Sequence, residues 1–517
     1  MPSPSDHLAT SLKVLKELQR KGRVAIRARD LSRVHRERLM RNGFLREVMK
    51  GWYIPSRPEE PAGESTTWYA AFWAFAAQYL ESRFGEEWCL SADQSLLLHV
   101  GDRTVPPQLL VRAPKGSNKP TPLPHDTSVF DVRLELPAAG ERTTIDGVRV
   151  MTLAAALAYC SPDLFHARPV ELRAAFAMLT DAADLLRCLL EGGKSKVAGR
   201  LAGALRNVGR ATLADQVRDT MRAAGYTVVE TDPFAEPSPV QFAGRPVSPY
   251  VGRMRLLWAA MRETVLDHFP APPAVRPGKT AYLQQVEDLY RADAYHSLSI
   301  EGYQVNDALI ERVRSGAWNP SRDEADRQNS NALAARGYWQ AFQRVKVAIE
   351  QVLDGGNAGE IADRVHPEWY RELFGPSVAA GILKPADLAG YRNGPVYIRR
   401  SQHVPPPPAA VRDLMPELFA LLAAEPEPAV RVVLGHFLFV YVHPYFDGNG
   451  RMGRFLMNLM VASGGWRWTL VTLDTRDAYM SALEQASVQR DIEPFTRYLA
   501  ARVAAASLVG AGARGYH

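Results

Sequence analysis

A length of 517 residues is too great for one hydrophobic core and predicts about three domains. An apolar content of 46% with 23% charged residues is ordinary for a soluble globular protein. The longest apolar run, residues 432–442, is too short to cross a bilayer, and residues 1–13 lack the apolar core of a signal peptide. We therefore expect a cytoplasmic protein with no membrane partner. Three cysteines, Cys89, Cys160 and Cys188, are widely spaced and predict neither a disulfide framework nor a zinc site.

Basic residues concentrate near the N-terminus. The net charge is +6, but residues 20–50 carry eleven Lys and Arg against three acidic residues, so this segment alone has an excess of +8. Apolar spacing predicts a helix over Leu8–Leu18, a basic helix over Ala28–Arg41 and a hairpin over Phe44–Ile54. This order is typical of a winged helix-turn-helix, which we assign to residues 1–57.

Such a domain would place its basic helix in the major groove of duplex DNA and its hairpin on phosphates. The side chains expected to contact DNA are Arg33, Arg36, Arg38 and Lys50. The alternative is that the arginines only solvate this face, or that the hairpin packs on the next domain. The segment Gly43–Tyr53 resembles the N-terminal domain of bacterial AbiEi-type antitoxins, which implies a link to toxin–antitoxin systems.

Residues 62–230 predict an α+β domain. Strands are expected at Gln108–Ala113 and Ser128–Leu136, with a hairpin over Thr143–Val150 and Ala/Leu-rich helices after it. No set of acid, base and nucleophile stands out here. The stretch Ser91–Leu96 and the order of elements are similar to the second half of the same antitoxin family.

A proline-rich stretch, residues 231–279, predicts a linker with one lead-in helix. A long helix is then expected over Thr280–Ile300. At its end, Ser297 and Glu301 share one face, and Gly302 can terminate the helix. By itself this pattern is an ordinary helix end.

The segment Gly390–Val404 predicts a short β-hairpin before a polyproline stretch. One strand would carry Val396, Tyr397 and Ile398, and the other would carry His403. A free strand edge of this kind can hold an extended segment of a partner by strand addition. The alternative is a plain surface hairpin.

The most informative stretch runs from His443 to Arg454 and reads His-Pro-Tyr-Phe-Asp-Gly-Asn-Gly-Arg-Met-Gly-Arg. It lies between two apolar segments, Val430–Val442 and Arg451–Ser463, which both predict buried helices. Its glycines permit positive φ, so that successive N–H groups can point at one spot at the N-terminus of the second helix. An anion is favoured at that spot.

Side chains add to this anion site. Two arginines can donate charge-assisted hydrogen bonds to phosphate oxygens. Asp447 is a hard oxygen ligand suited to Mg²⁺, which commonly binds one or two carboxylates together with phosphates. His443 can act as a base near neutral pH. The residues predicted to hold the phosphates are Gly448, Asn449, Gly450, Arg451 and Arg454.

Taken together, these residues resemble the signature of the Fic family, His-x-Phe-x-(Asp/Glu)-Gly-Asn-Gly-Arg-x-x-Arg, with Tyr445 in place of the Phe. The related Doc kinases carry lysine where this chain has Gly450, so the sequence resembles the branch that moves AMP from ATP to a protein hydroxyl. The resemblance covers Thr280–Arg502. It implies a mainly α fold, in which an all-helical Fic core with a β-hairpin flap, assigned to residues 280–510, follows the α+β domain and the winged helix-turn-helix.

The resemblance also implies roles for matched residues. His443 would take the proton of a Ser, Thr or Tyr hydroxyl, and Asp447 would hold Mg²⁺ on the ATP phosphates. Ser297–Gly302 resembles the (Ser/Thr)-x-x-x-Glu-(Gly/Asn) inhibitory motif of the class in which an inhibitory helix precedes the signature. Glu301 would then pair with Arg454 and deny it to the γ-phosphate. The hairpin before the signature would be the flap that aligns the target.

The implied activity is AMP transfer with ATP and Mg²⁺ to a protein substrate, the chain itself included. Two alternatives stay open. One is removal of AMP, with Glu301 positioning a water. The other is a DNA-binding regulator or antitoxin whose Fic domain is permanently silenced. The sequence names neither the target nor the oligomeric state, and a homodimer is compatible with it.

Overall fold

The computed structural model describes residues 4–58, 64–242, 248–316 and 329–512. The chain divides into two compact units. The first comprises Met1–Leu256 with Tyr397–Val404, and the second comprises Leu257–Val396 with Pro405–His517. The boundary falls within α11, Pro249–His268. Part of the predicted linker, including Pro246, lies outside the described residues.

The described residues are mainly helical, with three small sheets, which confirms the predicted fold class. Within the described ranges, no helix combines the length and the apolar character that crossing a membrane requires.

The first unit begins with two helices and a three-stranded antiparallel sheet of order β1-β3-β2. These elements are α1 Pro4–Arg20, β1 Ile26–Arg27, α2 Arg33–Arg41, β2 Leu45–Met49 and β3 Trp52–Pro55. The predicted hairpin is present, with its turn between β2 and β3. Leu15 of α1 and Leu39 of α2 pack with Ile26 of β1 in a small core, whereas Val34 of α2 is exposed.

The second helix begins later than its sequence pattern predicts. Ala28–Asp30 forms a 3₁₀ turn instead, in which the Asp30 carboxylate accepts the backbone N–H of Arg27 at 2.8 Å. The α-helix starts only after Ser32, whose hydroxyl accepts the N–H of His35 at 3.3 Å. Side-chain acceptors therefore divide a continuous helical pattern into two pieces. The Asp30 carboxylate closes the 3₁₀ turn, and the Ser32 hydroxyl takes an N–H that a longer helix would have bonded internally.

The rest of the first unit is an α+β arrangement. Its four-stranded sheet has the order β4-β5-β7-β6, in which β5 and β7 run parallel with Gln108 opposite Ser128, and a separate hairpin pairs β8 with β9. The strands are β4 Cys89–Leu90, β5 Gln108–Ala113, β6 Pro120–Leu123, β7 Thr127–Arg133, β8 Arg142–Ile145 and β9 Val148–Met151. The helices are α3 Thr66–Phe84, α4 Ala92–His99, α5 Leu153–Tyr159, α6 Leu164–Ala167, α7 Pro169–Met178, α8 Ala183–Leu190, α9 Ser195–Asn207 and α10 Ala211–Ala223.

The described residues of the second unit form helices and loops and contain no strand. Its helices after α11 are α12 Lys279–Ile300, α13 Asp307–Arg314, α14 Ser330–Leu353, α15 Ala358–Ala379, α16 Pro408–Ala424, α17 Pro428–Val442, α18 Asn449–Gly464, α19 Arg476–Glu484 and α20 Glu493–Gly512. Helices α17 and α18 pack on each other and are buried on nearly every face. Their apolar sequences are therefore explained by position in the core.

The predicted β-hairpin over Gly390–Val404 is not formed. The described chain there turns back at Arg400, which has φ 59°, and the turn is closed by Ser401 N–H donating to the Ile398 carbonyl at 3.2 Å. No strand pairing accompanies the turn in these described residues. The physical reason is that prolines flank the segment and main-chain groups inside it bond elsewhere, so a two-stranded ladder has few donors left.

Candidate active site

His443 ends α17 in a left-handed conformation, with φ 52° and ψ 60°. Its Nδ1–H donates to the Val440 carbonyl at 3.1 Å, which leaves a lone pair on Nε2. Burial lowers the pKa of His443 to about 4. The imidazole is therefore neutral near pH 7 and can accept a proton at Nε2.

The loop after His443 is closed by Asn449. The side-chain oxygen of Asn449 accepts the Tyr445 N–H at 2.9 Å, and its amide nitrogen donates to the Tyr445 carbonyl at 2.8 Å. The ring of Tyr445 is buried and stacks on Tyr370, with centroids 3.8 Å apart and planes 10° from parallel. A packing role thus suits the aromatic position at which this chain departs from the Fic signature, while the Asn449 amide is engaged inside the loop.

The N-terminus of α18 forms an anion cradle. Its first turn follows Gly448, which has φ 80°, a conformation that glycine adopts without strain. A Cβ atom on Gly450 would lie only 2.2 Å from Oε1 of Glu301. Because glycine lacks that atom, the Glu301 carboxylate can approach the helix end, where free N–H groups and the helix dipole favour a negative charge.

Glu301 and Ser297 both bind Arg454. Nη2 of Arg454 donates to Glu301 Oε1 at 2.7 Å and to the Ser297 carbonyl at 3.0 Å. Nε of Arg454 donates to the Ser297 hydroxyl at 2.9 Å. Burial alone would raise the pKa of Glu301, but the adjacent Arg454 and Arg451 lower it, so the carboxylate is ionised. Gly302 follows with φ 93° and ends the helix turn. The structure thus brings Ser297 and Glu301 of the predicted inhibitory motif to Arg454 in the cradle.

Two buried guanidinium nitrogens at the cradle lack partners among the described residues, Nη1 of Arg454 and Nε of Arg451. Arg451 lies against the rings of Tyr303 and Phe374, whose centroids are 5.2 and 5.0 Å from its Cζ. Buried donors of this kind favour an acceptor-rich ligand, because leaving them without one is costly.

Asp447 lies at the mouth of the loop. Its Oδ1 accepts the Gly448 N–H at 2.6 Å, its Oδ2 is 3.4 Å from Arg451, and its side chain is 63% exposed. No group of three or more His, Cys, Asp or Glu that could enclose a metal occurs within the described ranges. A single accessible carboxylate fits Mg²⁺ that takes its other ligands from phosphates and water.

Arg392 is a residue that the sequence reasoning missed. It is almost fully buried, and its Nε donates to the carbonyl of His443 at 2.7 Å. No local pattern points to it, because its acceptors are main-chain oxygens that only the fold brings together.

The residues of the predicted flap differ in solvent exposure. Tyr397 is 41% exposed, Val396 and Ile398 are half-buried, and His403 is only 3% exposed. A buried His403 is not available to a docking partner.

Tyr397–Val404 belong to the first unit, and other residues of that unit bond them. Glu64, itself buried, accepts hydrogen bonds from Arg399 at 3.0 Å and from Arg400 at 3.4 Å. Burial opposes ionisation of Glu64, but hydrogen bonds from Thr66 and Arg399 outweigh it and lower its pKa to about 2. The N–H of Val105 donates to the Gln402 carbonyl at 3.4 Å. These bonds use main-chain and side-chain groups that a free hairpin would have offered to a docking partner.

The four residues predicted to contact DNA also differ in availability. Arg36 and Arg38 each donate to a main-chain carbonyl of the same N-terminal segment at 3.0 Å. Arg33 has a side chain that is 82% exposed and pairs with Glu37 at 2.6 Å, and Lys50 is exposed on the turn between β2 and β3. Two of the four side chains therefore extend into solvent.

Residues 367–461 match the model of the Fic/DOC family. Among curated relatives, the protein adenylyltransferase Fic of Nematostella vectensis is 36% identical over 240 residues, which cover 45% of this chain and 50% of that protein. The protein adenylyltransferase Fic of Drosophila erecta is 26% identical over 236 residues, covering 44% of this chain and 43% of that protein. The chain thus spans about half the length of the curated relatives that it matches.

Among solved structures, a fragment of Fic-1 from C. elegans is 18% identical and covers 65% of this chain and 94% of that one, with a TM-score of 0.38.

Proposed function

Because the chain carries a Fic domain, we propose that it is a protein adenylyltransferase, which moves AMP from ATP to a Ser, Thr or Tyr hydroxyl of a protein, the chain itself included. The observation that carries the proposal is the ionised Glu301 carboxylate seated over Gly450 and bonded to Arg454. A site that accepts this anion offers the same donors to a phosphate once the side chain leaves. The names of the curated relatives support the same activity.

In this mechanism the target hydroxyl gives its proton to Nε2 of His443 while its oxygen attacks the α-phosphorus of ATP. The new oxygen–phosphorus bond forms in line with the bond to the β-phosphate oxygen, which breaks and releases pyrophosphate. The N–H groups at the start of α18, together with Arg451 and Arg454, stabilise the charge on the phosphates. Because the pKa of His443 is about 4, the imidazole is unprotonated near pH 7, which is the form that can accept the proton.

Asp447 would hold Mg²⁺ at the loop mouth, and the ion would neutralise charge on the phosphates. The other Asp447 oxygen stays bonded to Gly448 N–H, which keeps the carboxylate oriented.

Glu301 is proposed to inhibit transfer. It uses the Arg454 Nη2 donor that a γ-phosphate would need, and its carboxylate lies where a phosphate oxygen would approach Gly450. ATP in its productive pose and the Glu301 carboxylate would therefore compete for one place. A second candidate function is removal of AMP from a modified protein. The observation that favours it is the 25% exposure of the Glu301 side chain, because a water can reach the carboxylate.

The experiment uses the full chain and Glu301→Gly, each incubated alone with ATP labelled at the α- or the γ-phosphate, and with a lysate for the α-label only, because kinases in a lysate transfer the γ-phosphate. We expect α-label on protein and none from the γ-position, with more label for Glu301→Gly. Label from the γ-position would indicate phosphoryl transfer and refute the proposal. Loss of AMP from a labelled protein with wild type but not with Glu301→Gly would favour the demodifying reaction.

For the N-terminal segment, we propose binding to duplex DNA through the exposed Arg33 and Lys50 and the +8 excess of residues 20–50. Such binding would allow the chain to regulate transcription, and a silenced Fic domain would make that its main role. The ATP-labelling experiment separates the two, since a silent domain leaves no label even in Glu301→Gly.

A further inference from the structure

We propose that Arg392 is the positioning residue for His443, and that it fixes the turn bearing the base and both stems of the segment predicted to align the target. This inference rests on the proposed function and adds a residue to its machinery. Arg392 lies in the loop before α16 and is 1% exposed. All of its hydrogen bonds within the described part of the chain are to main-chain carbonyls.

Three of these carbonyls belong to consecutive residues at the end of α17. The guanidinium donates to the carbonyls of His443 at 2.7 Å and Val442 at 3.3 Å, and the Arg392 N–H donates to the Pro444 carbonyl at 2.9 Å. The last carbonyls of a helix have no partner within the helix. Here Arg392 satisfies the last of them, that of Val442, together with the two carbonyls that follow the helix, and so holds the left-handed backbone of His443, which a non-glycine residue does not adopt without support.

The same guanidinium reaches both sides of the flap segment. Its Nη1 donates to the Gly394 carbonyl at 3.1 Å, and its Nη2 donates to the Pro406 carbonyl. Gly394 precedes residues 396–404, which carry the predicted strands, and Pro406 follows them. One planar group therefore bonds both the backbone of His443 and the two ends of the segment. The distance from a target hydroxyl to Nε2 of His443 would depend on this group.

Hydrogen bonding to these carbonyls stabilises the fold, yet it does not by itself require a charged side chain. No ion pair to Arg392 occurs within the described residues, and burial lowers its pKa to about 10. An apolar side chain would fill this volume without the cost of desolvating a charge. What an apolar side chain lacks is a rigid set of five donors, which matches several carbonyls lying in different directions.

The matched control is Arg431, on α17 at the end away from His443. Its Nη1 donates to the Glu425 carbonyl at 2.6 Å and its Nη2 to the Ser463 hydroxyl at 3.1 Å. Arg431 is half-buried and, like Arg392, donates to main-chain oxygen, and burial lowers its pKa as well. It touches neither the turn nor the flap stems, so its loss reports on packing alone.

The experiment measures AMP transfer by the full chain carrying Glu301→Gly, alone and combined with Arg392→Ala, Arg392→Lys or Arg431→Ala. For Arg392→Ala we expect kcat to fall about 100-fold with KM for ATP nearly unchanged, because misplacing a base by about 1 Å costs about that much. Arg392→Lys carries one ammonium group in place of the planar guanidinium, and its kcat should fall about tenfold. Added guanidinium ion should restore part of the rate of Arg392→Ala, compared with sodium chloride at equal ionic strength.

The outcomes separate the two proposals. An inactive Glu301→Gly parent overturns the proposed function, and this inference with it. An active parent whose kcat survives in Arg392→Ala, or falls equally in Arg431→Ala, overturns the inference alone. Should Arg392→Ala fail to fold, Arg392→Lys decides: full activity refutes positioning, and a lowered kcat at unchanged KM for ATP supports it.

Discussion

Replacement of Glu301 by glycine should activate AMP transfer. The side chain makes one short charge-assisted hydrogen bond to Arg454, 2.7 Å long, in a place where the arginine is 5% exposed and the glutamate 25% exposed. An exposed ion pair would contribute only about 0–1 kcal/mol, too little to control an enzyme. Here the bond is shielded from solvent and occupies contacts that ATP also needs.

The size of the effect follows from that single bond. A hydrogen bond to a charged group contributes about 1.5–3 kcal/mol, which corresponds to a shift of about 10- to 160-fold in the balance between the occupied and the open cradle. A cradle that is about 99% occupied requires about 2.7 kcal/mol, within this range. We therefore expect Glu301→Gly to raise the initial rate of AMP incorporation by one to two orders of magnitude, about 10- to 100-fold.

The assay follows α-labelled AMP on protein for wild type, Glu301→Gly, Glu301→Gln, Arg454→Ala and the Glu301→Gly, Arg454→Ala double variant. Glu301→Gln keeps the shape but loses the charge and should activate less. Arg454→Ala should not activate, since it removes the inhibitory hydrogen bond to Glu301 and a phosphate contact together. The control is Glu287→Gln on the same helix, whose carboxylate pairs with Lys346 at 2.7 Å away from the cradle.

Equal rates for wild type and Glu301→Gly would refute the inhibitory role and leave Glu301 as a structural helix-end residue or part of a demodifying site. Activation by Arg454→Ala would also contradict the reasoning, because the proposed γ-phosphate contact would then be dispensable.

Other predictions follow from the same geometry. His443→Ala should lower kcat about 10²- to 10⁴-fold and leave ATP affinity, measured by calorimetry, nearly intact. Since the pKa of His443 is lowered to about 4, kcat/KM for Glu301→Gly should stay flat between pH 8 and 6; an ordinary histidine would lose about three quarters of its rate at pH 6. The pKa of Glu64 in the folded chain, about 2, lies below its usual 4.5, so its stabilisation is present above pH 4.5 and fades as the pH falls towards 2. Glu64→Gln should therefore lower the melting temperature at pH 7 and speed tryptic cleavage after Arg399, and unchanged cleavage would argue that the segment is held by other contacts. Binding of full-length protein to duplex DNA should weaken steeply between about 50 and 200 mM salt and be reduced by Lys50→Glu, and no shift of DNA at about 50 mM salt would leave only a solvated basic face.

Prediction from sequence succeeded where the signal is local. Helix α12 was expected at Thr280–Ile300 and is found at Lys279–Ile300, because its apolar period and the glycine after its end act over a few residues. The hairpin at Asp146-Gly147 is likewise present, since the turn itself requires positive φ at both positions. The glycine-rich loop at the start of α18 was predicted for the same reason.

Prediction failed where distant atoms compete for main-chain groups. Residues 396–404 have the composition of two short strands, yet Val105 and Thr66 bond their main chain, and no ladder forms. The helix pattern from Ala28 was interrupted by the Asp30 carboxylate and the Ser32 hydroxyl. In each case a side chain or a loop N–H offered an alternative to regular pairing.

The candidate site shows the same division. The sequence by itself determined which groups could bind phosphate and accept a proton, because their chemistry and their spacing between His443 and Arg454 do not depend on the rest of the chain. The family resemblance implied that Glu301, 153 residues before Arg454, pairs with it, but only the tertiary structure gives the atoms that meet in the cradle and reveals that Arg392 holds the carbonyl of His443. Contacts between groups so far apart in the chain arise from helix packing, which no local pattern encodes.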